Sequence, residues 1–271
     1  MRRYREQLGY ALDDAARILD CDRSKISRIE TGQRGIRRRE LLELLTEYGA
    51  DKQAQDVLVM IADTRGAQGW WRPYADVLPD ACLDYFALET AASRILVFGA
   101  QQVPDLLQTE QYASAVAGAR PGRSPAELQR LTDVCLIRQE IVLTESRPEV
   151  VVVIGEAALR QAVGGYEVMH TQLASLADVS SKFPEVSIRV LPFACGAHAA
   201  GGMGSFTVLR YAHVPDLGVV HLVGIGGTFL EDQHDIMAYA SAFEQLEASA
   251  LLPDASACLI RQIQAESQPT E

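Results

Sequence analysis

One stretch, Leu12 to Gly32 (LDDAARILDCDRSKISRIETG), constrains the fold of this chain more than any other. Leu12, Ala15, Ala16 and Leu19 recur at i, i+3, i+4 and i+7, the apolar stripe of a short helix that packs inward. Asp20-Cys21-Asp22 reads as a turn. Asp22 is placed to cap a second helix through its side chain, and Thr31-Gly32 ends that helix with a residue free to adopt positive φ. At about 100° per residue, Ile26 and Ile29 share one side of this second helix. Arg23, Ser24, Ser27 and Arg28 share the other. Guanidinium forks beside short hydroxyls suit the edges of bases, because Arg bonds guanine twice and Ser gives or accepts a hydrogen bond. The pattern predicts two helices and a tight turn, with a DNA-reading face on the second helix.

The flanks complete a module. Met1 to Leu8 forms a first helix with Tyr4 and Leu8 on one face. Leu41, Leu42, Leu44, Leu45 and Tyr48 mark a fourth. Asp51 to Arg65 is a fifth, with Ala54, Val57, Leu58 and Ile61 inward. Between the third and fourth helices, Gln33 to Arg39 is a basic loop, and Arg34, Arg37, Arg38 and Arg39 are expected on DNA phosphates. Lys25 lies off the reading face, toward phosphate or solvent. Glu30, which phosphates would repel, is expected to pair with a nearby arginine. Net charge is −11 over 271 residues, yet residues 1–39 hold 11 Lys and Arg against 6 Asp and Glu. That segment is therefore +5 and the remainder −16, the asymmetry of a chain that meets phosphate at one end only.

Gly66 to Pro73 (GAQGWWRP) is the expected boundary. It separates an all-α helix-turn-helix domain of about five helices, 1–65, from an α+β domain with a mixed sheet, 66–271. In the second region, helices are predicted over Asp80–Ser93, from the Thr109 cap through Val116, from Ser124-Pro125 to about Thr144, and over Glu156–Val163 and Tyr166–Phe183. Two more cover Asp232–Leu251 and Ala255–Ala265. Strands are predicted at Ile95–Phe98, Val150–Ile154, Ser187–Leu191, Ser205–Tyr211 and Gly218–Val223. The unbroken run Val150–Ile154 is that of a strand buried on both faces.

Residues 1–65 resemble the XRE family of phage-repressor-like helix-turn-helix regulators, with Ser27-Arg28-Ile29-Glu30-Thr31-Gly32 its most recognisable stretch. The resemblance implies base contacts from Arg23, Ser24, Ser27 and Arg28 and backbone contacts from Arg34 and Arg37 to Arg39. It also implies a longer first helix, hence a native start upstream of Met1. Asp20 stands where the family has a turn glycine. The second region resembles the domain of unknown function that follows this helix-turn-helix in many actinomycete-type regulators. The matching pieces are Trp70-Trp71, Val103-Pro104-Asp105-Leu106-Leu107-Gln108-Thr109, Arg138-Gln139, Glu156-Ala157-Ala158-Leu159-Arg160, Leu191-Pro192 and Gly204-Ser205-Phe206. Asp105 departs from the glycine usual after that proline. The resemblance implies a sensor or partner-binding role, often beside a small, separately encoded protein.

Other chemistry finds less support. Cys21, Cys82, Cys135, Cys195 and Cys258 are scattered with no CxxC pair, which argues against a disulfide framework or a thiolate zinc site. Cys195 with His198, His213, His221 and His234 lacks a second tight pair of ligands. Gly201–Gly204 and Gly224–Gly227 do not open a helix as phosphate loops do. The pairs Cys195/His198 and Ser205/His221 lack a third orienting group. No enzyme, cofactor or metal is therefore expected. Trp70, Trp71, Tyr74, Phe193 and His198 are candidate ligand-binding residues, set against an interdomain-seal or loop role. With no signal peptide and no membrane span, the chain is expected in the cytoplasm, as a homodimer on double-stranded DNA. Its second domain would answer to a small-molecule effector or to a small antagonist protein. The alternatives are a domain used purely for protein interaction, as one half of a regulator–antagonist pair, and an enzyme domain fused to a DNA-binding module.

Overall fold

The computed structural model describes residues 1–66, 69–119, 121–214, 217–223 and 227–266. Two compact units emerge: Met1–Trp70 with Ala212–Pro215, and Trp71–Tyr211 with Asp216–Glu271.

The first unit is helical: α1 (Arg2–Gln7), α2 (Leu12–Ile18), α3 (Arg23–Glu30), α4 (Arg38–Glu47) and α5 (Lys52–Gly66). Ala15, Ala16, Ile26, Leu44 and Tyr48 form its centre, with Tyr4, Leu12, Ile18, Leu19 and Ile36 packed around them. Two alanines on α2 let α3 approach closely, so the inward stripe fixes the angle of the pair. Asp20 makes the turn at φ 45°, the left-handed region in which a glycine is the relaxed choice. Gly32 ends α3 at φ 73°. Asp22 does occupy the N-cap of α3, but its side chain makes no cap bond, contrary to expectation. The carboxylate is exposed to solvent.

The second unit is built from α6 (Asp80–Thr90), β1 (Arg94–Gly99), α7 (Glu110–Gly118), α8 (Pro125–Glu140), β2 (Glu149–Gly155), α9 (Glu156–Arg160), α10 (Tyr166–Ala177), α11 (Val179–Lys182), β3 (Val186–Leu191), β4 (Phe206–Arg210), β5 (Gly218–Leu222), β6 (Thr228–Leu230), α12 (Gln233–Ser249) and α13 (Pro253–Glu266). The sheet is mixed and six-stranded, in the order β3-β2-β1-β4-β5-β6. β1 pairs parallel with β2, and β2 with β3; β4, β5 and β6 pair antiparallel. β2, in the parallel half, is buried from Val150 to Ile154.

One face of the sheet carries Leu96, Phe98, Val151, Val153, Phe206, Val208 and Val220 against Ile236, Phe243 and Leu246 of α12. Alternation sends Val97, Thr207 and His221 to the other face. There they sit directly opposite one another across β1, β4 and β5. The outer edge of β3 is closed rather than left open. Leu251 donates its N–H to the Val190 carbonyl at 2.9 Å, and the Val190 N–H donates to the Ser256 hydroxyl at 2.9 Å.

Helix starts follow the cap chemistry in the sequence. Ser124 and Glu127 form a reciprocal capping box ahead of Pro125, Thr109 accepts from the Tyr112 N–H, and Asp232 accepts from the His234 N–H. Two expectations need correction, and one strand went unpredicted. The Tyr166–Phe183 helix breaks at Asp178, where φ is −106°, and resumes as α11. The Asp178 carbonyl accepts from both the N–H and the hydroxyl of Ser181, a local competitor to the helix ladder. α9 ends at Arg160 rather than Val163. β6 is a three-residue edge strand, too short to carry a period-2 signal. The long eighth helix runs on past Glu140 as a π-helical turn, Ile141–Ser146, ended by Arg147 at φ 45°.

Candidate functional sites

In the first unit, α3 turns Ile26 fully inward and leaves Arg23, Ser24 and Arg28 exposed, with Ser27 half-buried beside them. The four predicted reading side chains thus share one open surface. Their existing bonds are weak. The Arg28 Nε donates to the Ser24 carbonyl at 3.2 Å, and Arg23 stands 3.7 Å from Asp13 with both side chains largely in solvent. Contacts of that kind are worth little and yield readily to a new partner.

The back of α3 is held firmly. Arg5 of α1 donates to both Glu30 oxygens, Nε at 2.8 Å and Nη2 at 2.7 Å, with the two side chains 8% and 4% exposed. The third arm of the same guanidinium donates to the Tyr10 carbonyl at 2.6 Å. A forked pair out of water fixes orientation more strictly than a single contact. The Tyr48 hydroxyl lies beside this pair, and burial, with the Glu30 charge second, pushes its pKa up to about 12. Lys25, expected toward phosphate or solvent, instead donates to Glu40 of α4 at 2.7 Å in a half-buried pair. Being off the reading arc, it faces the neighbouring helix. Two ion pairs therefore clamp α3 to α1 and α4 from behind.

In the basic loop Arg34, Arg37, Arg38 and Arg39 are all exposed. Arg38 bonds Asp63 at 2.8 Å across solvent-exposed side chains. The first unit thus presents a hydroxyl-and-guanidinium face with an arginine-rich strip after it in the chain. Such a surface can meet base edges and phosphates.

The second unit holds a buried polar cluster on the α6–α8 side of the sheet. Arg138 forks onto Glu89, Nε to Oε2 at 2.6 Å and Nη2 to Oε1 at 2.7 Å. Its remaining arm reaches Asp105 at 3.3 Å. The Tyr85 hydroxyl donates to Glu89 at 2.7 Å, and the Arg138 guanidinium lies 5.1 Å from the Tyr85 ring centre. The His221 ring lies 4.3 Å from that of Tyr85, the two planes tilted by 35°. Burial, and then the Arg138 charge, lower the His221 pKa to about 4, so the imidazole is neutral near pH 7. Burial raises the Cys135 thiol to about 12, which makes it a poor nucleophile.

Beside this cluster lies a cavity of about 510 Å³, within the range of small-molecule sites. Val97, Thr207 and His221 form its sheet side, and Phe86, Leu131 and Val134 are among its helix-borne walls. None of the five residues proposed from sequence for a ligand lines it. Trp71 is buried against Phe86, with ring centres 5.9 Å apart. Trp70 is half-buried. Tyr74 lies 5.7 Å from the Arg130 guanidinium, which forks onto Asp76. Phe193 is 62% exposed, with its N–H donating to Glu156 at 2.8 Å. His198 sets its ring edge-on to Phe98 at 5.8 Å. These aromatics are spread over the second unit and the chain junction, while the cavity draws on α6, α8 and the sheet. Arg138 had a sequence signal: a charge at i+7 from Leu131 and i+4 from Val134, on the apolar stripe of α8. Tyr85 and Glu89 had none, and His221 had one only for metal or catalytic pairs.

Of the other motifs, Ser205 and His221 both line the cavity, and the Ser205 hydroxyl accepts from the Ala100 N–H at 3.0 Å. Gly201–Gly204 is a turn that leads into β4 rather than into a helix. In the second glycine loop, 224–226 lie outside the described residues. Among the described residues no group of three His, Cys, Asp or Glu is placed to hold a metal ion, and no helix is long and apolar enough to cross a membrane.

Two family models match the chain. A model described as a helix-turn-helix domain covers residues 1–58, and one described as a domain of unknown function (DUF5753) covers residues 82–262. No curated protein and no solved structure matches.

Proposed function

The chain belongs to the DUF5753 family and carries a helix-turn-helix DNA-binding domain ahead of the family domain; from that premise we propose that it is a sequence-specific transcriptional regulator of the XRE type. It acts in the cytoplasm as a homodimer on double-stranded DNA. The observation that carries this reading is the exposed Arg23, Ser24, Ser27 and Arg28 face on a helix clamped from behind by Arg5–Glu30 and Lys25–Glu40. A reading helix must arrive in a fixed pose, since half an ångström or 20° of play blurs a bidentate contact. Arg34, Arg37, Arg38 and Arg39 supply the phosphate contacts that set register.

The second unit is the sensing domain, and the cavity beside Arg138 favours a small-molecule effector over a protein antagonist alone. It is not an enzyme on this reading. Arg138, Glu89 and Asp105 are spent on each other, Cys135 is held as a thiol, and among the described residues His221 has no charged partner to orient it as a base. An effector that binds the two states of the regulator unequally shifts DNA affinity by that difference alone.

Selection of the operator from random duplexes, followed by two substitutions, tests the assignment. Arg28→Ala is expected to relax preference at one base pair at a cost of about 1–3 kcal/mol. Arg38→Ala is expected to weaken all sequences alike and to lower the salt slope by about one. An unchanged base preference in Arg28→Ala removes it from the reading face.

A further inference from the structure

The cavity of the second unit has a charge pattern that restricts what can enter it. Every arm of the Arg138 guanidinium is taken by a carboxylate: Nε and Nη2 by Glu89, Nη1 by Asp105. Asp105 is itself used twice, since the Gln108 amide donates to its other oxygen at 3.3 Å. At this end of the cavity one guanidinium faces two carboxylates, a net charge of −1, so an anionic ligand group would lose its water without gaining a counter-charge. The nearby His221 imidazole is uncharged at neutral pH. Its ring nitrogens have no hydrogen-bond partner among the described residues, although the ring lines the cavity. A neutral imidazole can give one hydrogen bond and accept another.

The remaining surface is mostly apolar and long, broken by Gln101, Gln102, Ser205 and Thr207. Leu131, Val134 and Cys135 line the cavity from α8. The lining also includes Arg123, just ahead of the Ser124 cap, so it follows α8 for about 20 Å at 1.5 Å per residue. Phe86, Val97 and Val116 carry the apolar surface across to α6, β1 and α7. A volume of about 510 Å³ suits a molecule of two or three fused or linked rings.

We propose that this cavity is the effector site and that it takes an elongated, largely apolar small molecule without negative charge, carrying a hydrogen-bonding group for His221. Arg123 defines the competing outcome. Its guanidinium has only a 3.5 Å contact to the Val77 carbonyl, so an apolar acid is the ligand class that would contradict the proposal. The inference rests on the sensing role given above to the second unit, but occupancy of the cavity is read without DNA. Failure here and failure of operator binding are thus separate results.

The test uses the full chain and two probes that share one ring system. N-phenyl-1-naphthylamine is uncharged, and 1-anilinonaphthalene-8-sulfonate adds a single negative charge. The neutral probe is expected to bind one per chain, with a fluorescence increase and a Kd at least tenfold below that of the sulfonate. Ala117→Phe and Leu131→Trp each place bulk on a half-buried wall, from different helices. Either variant, where its thermal melt matches that of the unaltered chain, is expected to lose the neutral probe at least tenfold. Competition by uncharged ring compounds, but not by their carboxylate analogues, would add to the support. Equal or tighter binding of the sulfonate overturns the charge assignment. Absence of 1:1 binding by the neutral probe, or its undiminished binding in a folded wall variant, overturns the site.

Discussion

Arg138 shows how far one side chain can be placed by its partners. It lies on the apolar stripe of α8, yet the guanidinium is buried at the end of Glu89 and beneath Tyr85. Burial works against the charge and Glu89 outweighs it, so the guanidinium stays protonated and its pKa is raised further. Removing one member leaves the other uncompensated. Arg138→Met is therefore expected to cost about 3–5 kcal/mol in denaturant unfolding, while the triple change Tyr85→Phe, Glu89→Leu, Arg138→Met recovers most of that loss. A triple variant as unstable as the single one would show that packing, not charge, carries the effect. His221 gives the same cluster a pH signature. Its folded pKa of about 4 lies below the ordinary 6.5, so between those values the unfolded chain takes up a proton that the folded chain refuses. Stability from the neutral imidazole is complete above about pH 6.5 and is lost as pH falls toward 4, with a slope of at most about 1.4 kcal/mol per pH unit. His221→Phe should flatten the stability–pH curve in that window. A difference confined to alkaline pH would contradict the assignment.

At the scale of elements, the helix-turn-helix and most of the sheet were legible, because period and punctuation carry them. The stripe Leu12–Ala15–Ala16–Leu19, the Ser124-Pro125 start and the run Val150–Ile154 each state a geometry that needs no distant partner. Not all of the misses required tertiary information. The break at Asp178 comes from a local Ser181 bond that the helical pattern does not register, whereas β6 exists only because β5 offers it an edge. The cavity was illegible for the same reason: Tyr85, Arg138 and His221 are brought together by the register of β4 and β5 and by the packing of α6 and α8, not by spacing. The turn between α2 and α3 is a case where sequence posed a question and structure answered it. Asp20 stands where a glycine is usual and holds φ at 45° with its side chain in solvent. Short polar residues tolerate this region and branched ones do not. Asp20→Val is expected to lower stability by about 1–2 kcal/mol, whereas Asp20→Gly leaves it unchanged or higher in the same melt. If valine is tolerated, the turn is not held at positive φ.

At the scale of the whole molecule, the charge split and the size of the candidate reading face bear on the proposed homodimer. The first 39 residues carry +5 and the rest −16, so only one end of each chain is attracted to the duplex. That end offers an eight-residue α3 with four candidate reading side chains, a small contact for a site that must be found among vast non-specific competition. Two such heads related by a two-fold axis double the contact without enlarging either one, and the axis must then appear in the DNA. Footprinting is expected to show two inverted half-sites with centres about 10–10.5 base pairs apart, or a multiple of that spacing. Sedimentation of the same complex should give two chains per duplex. A duplex that keeps only one half-site should bind within about tenfold of unrelated DNA, because a single head retains the phosphate contacts and loses half of the base contacts. Insertion of about five base pairs between the half-sites puts them on opposite sides of the helix and should be as damaging as deleting one of them. A lone half-site bound as tightly as the full operator, by one chain, would mean that each head reads DNA independently and that the homodimer has no part in recognition.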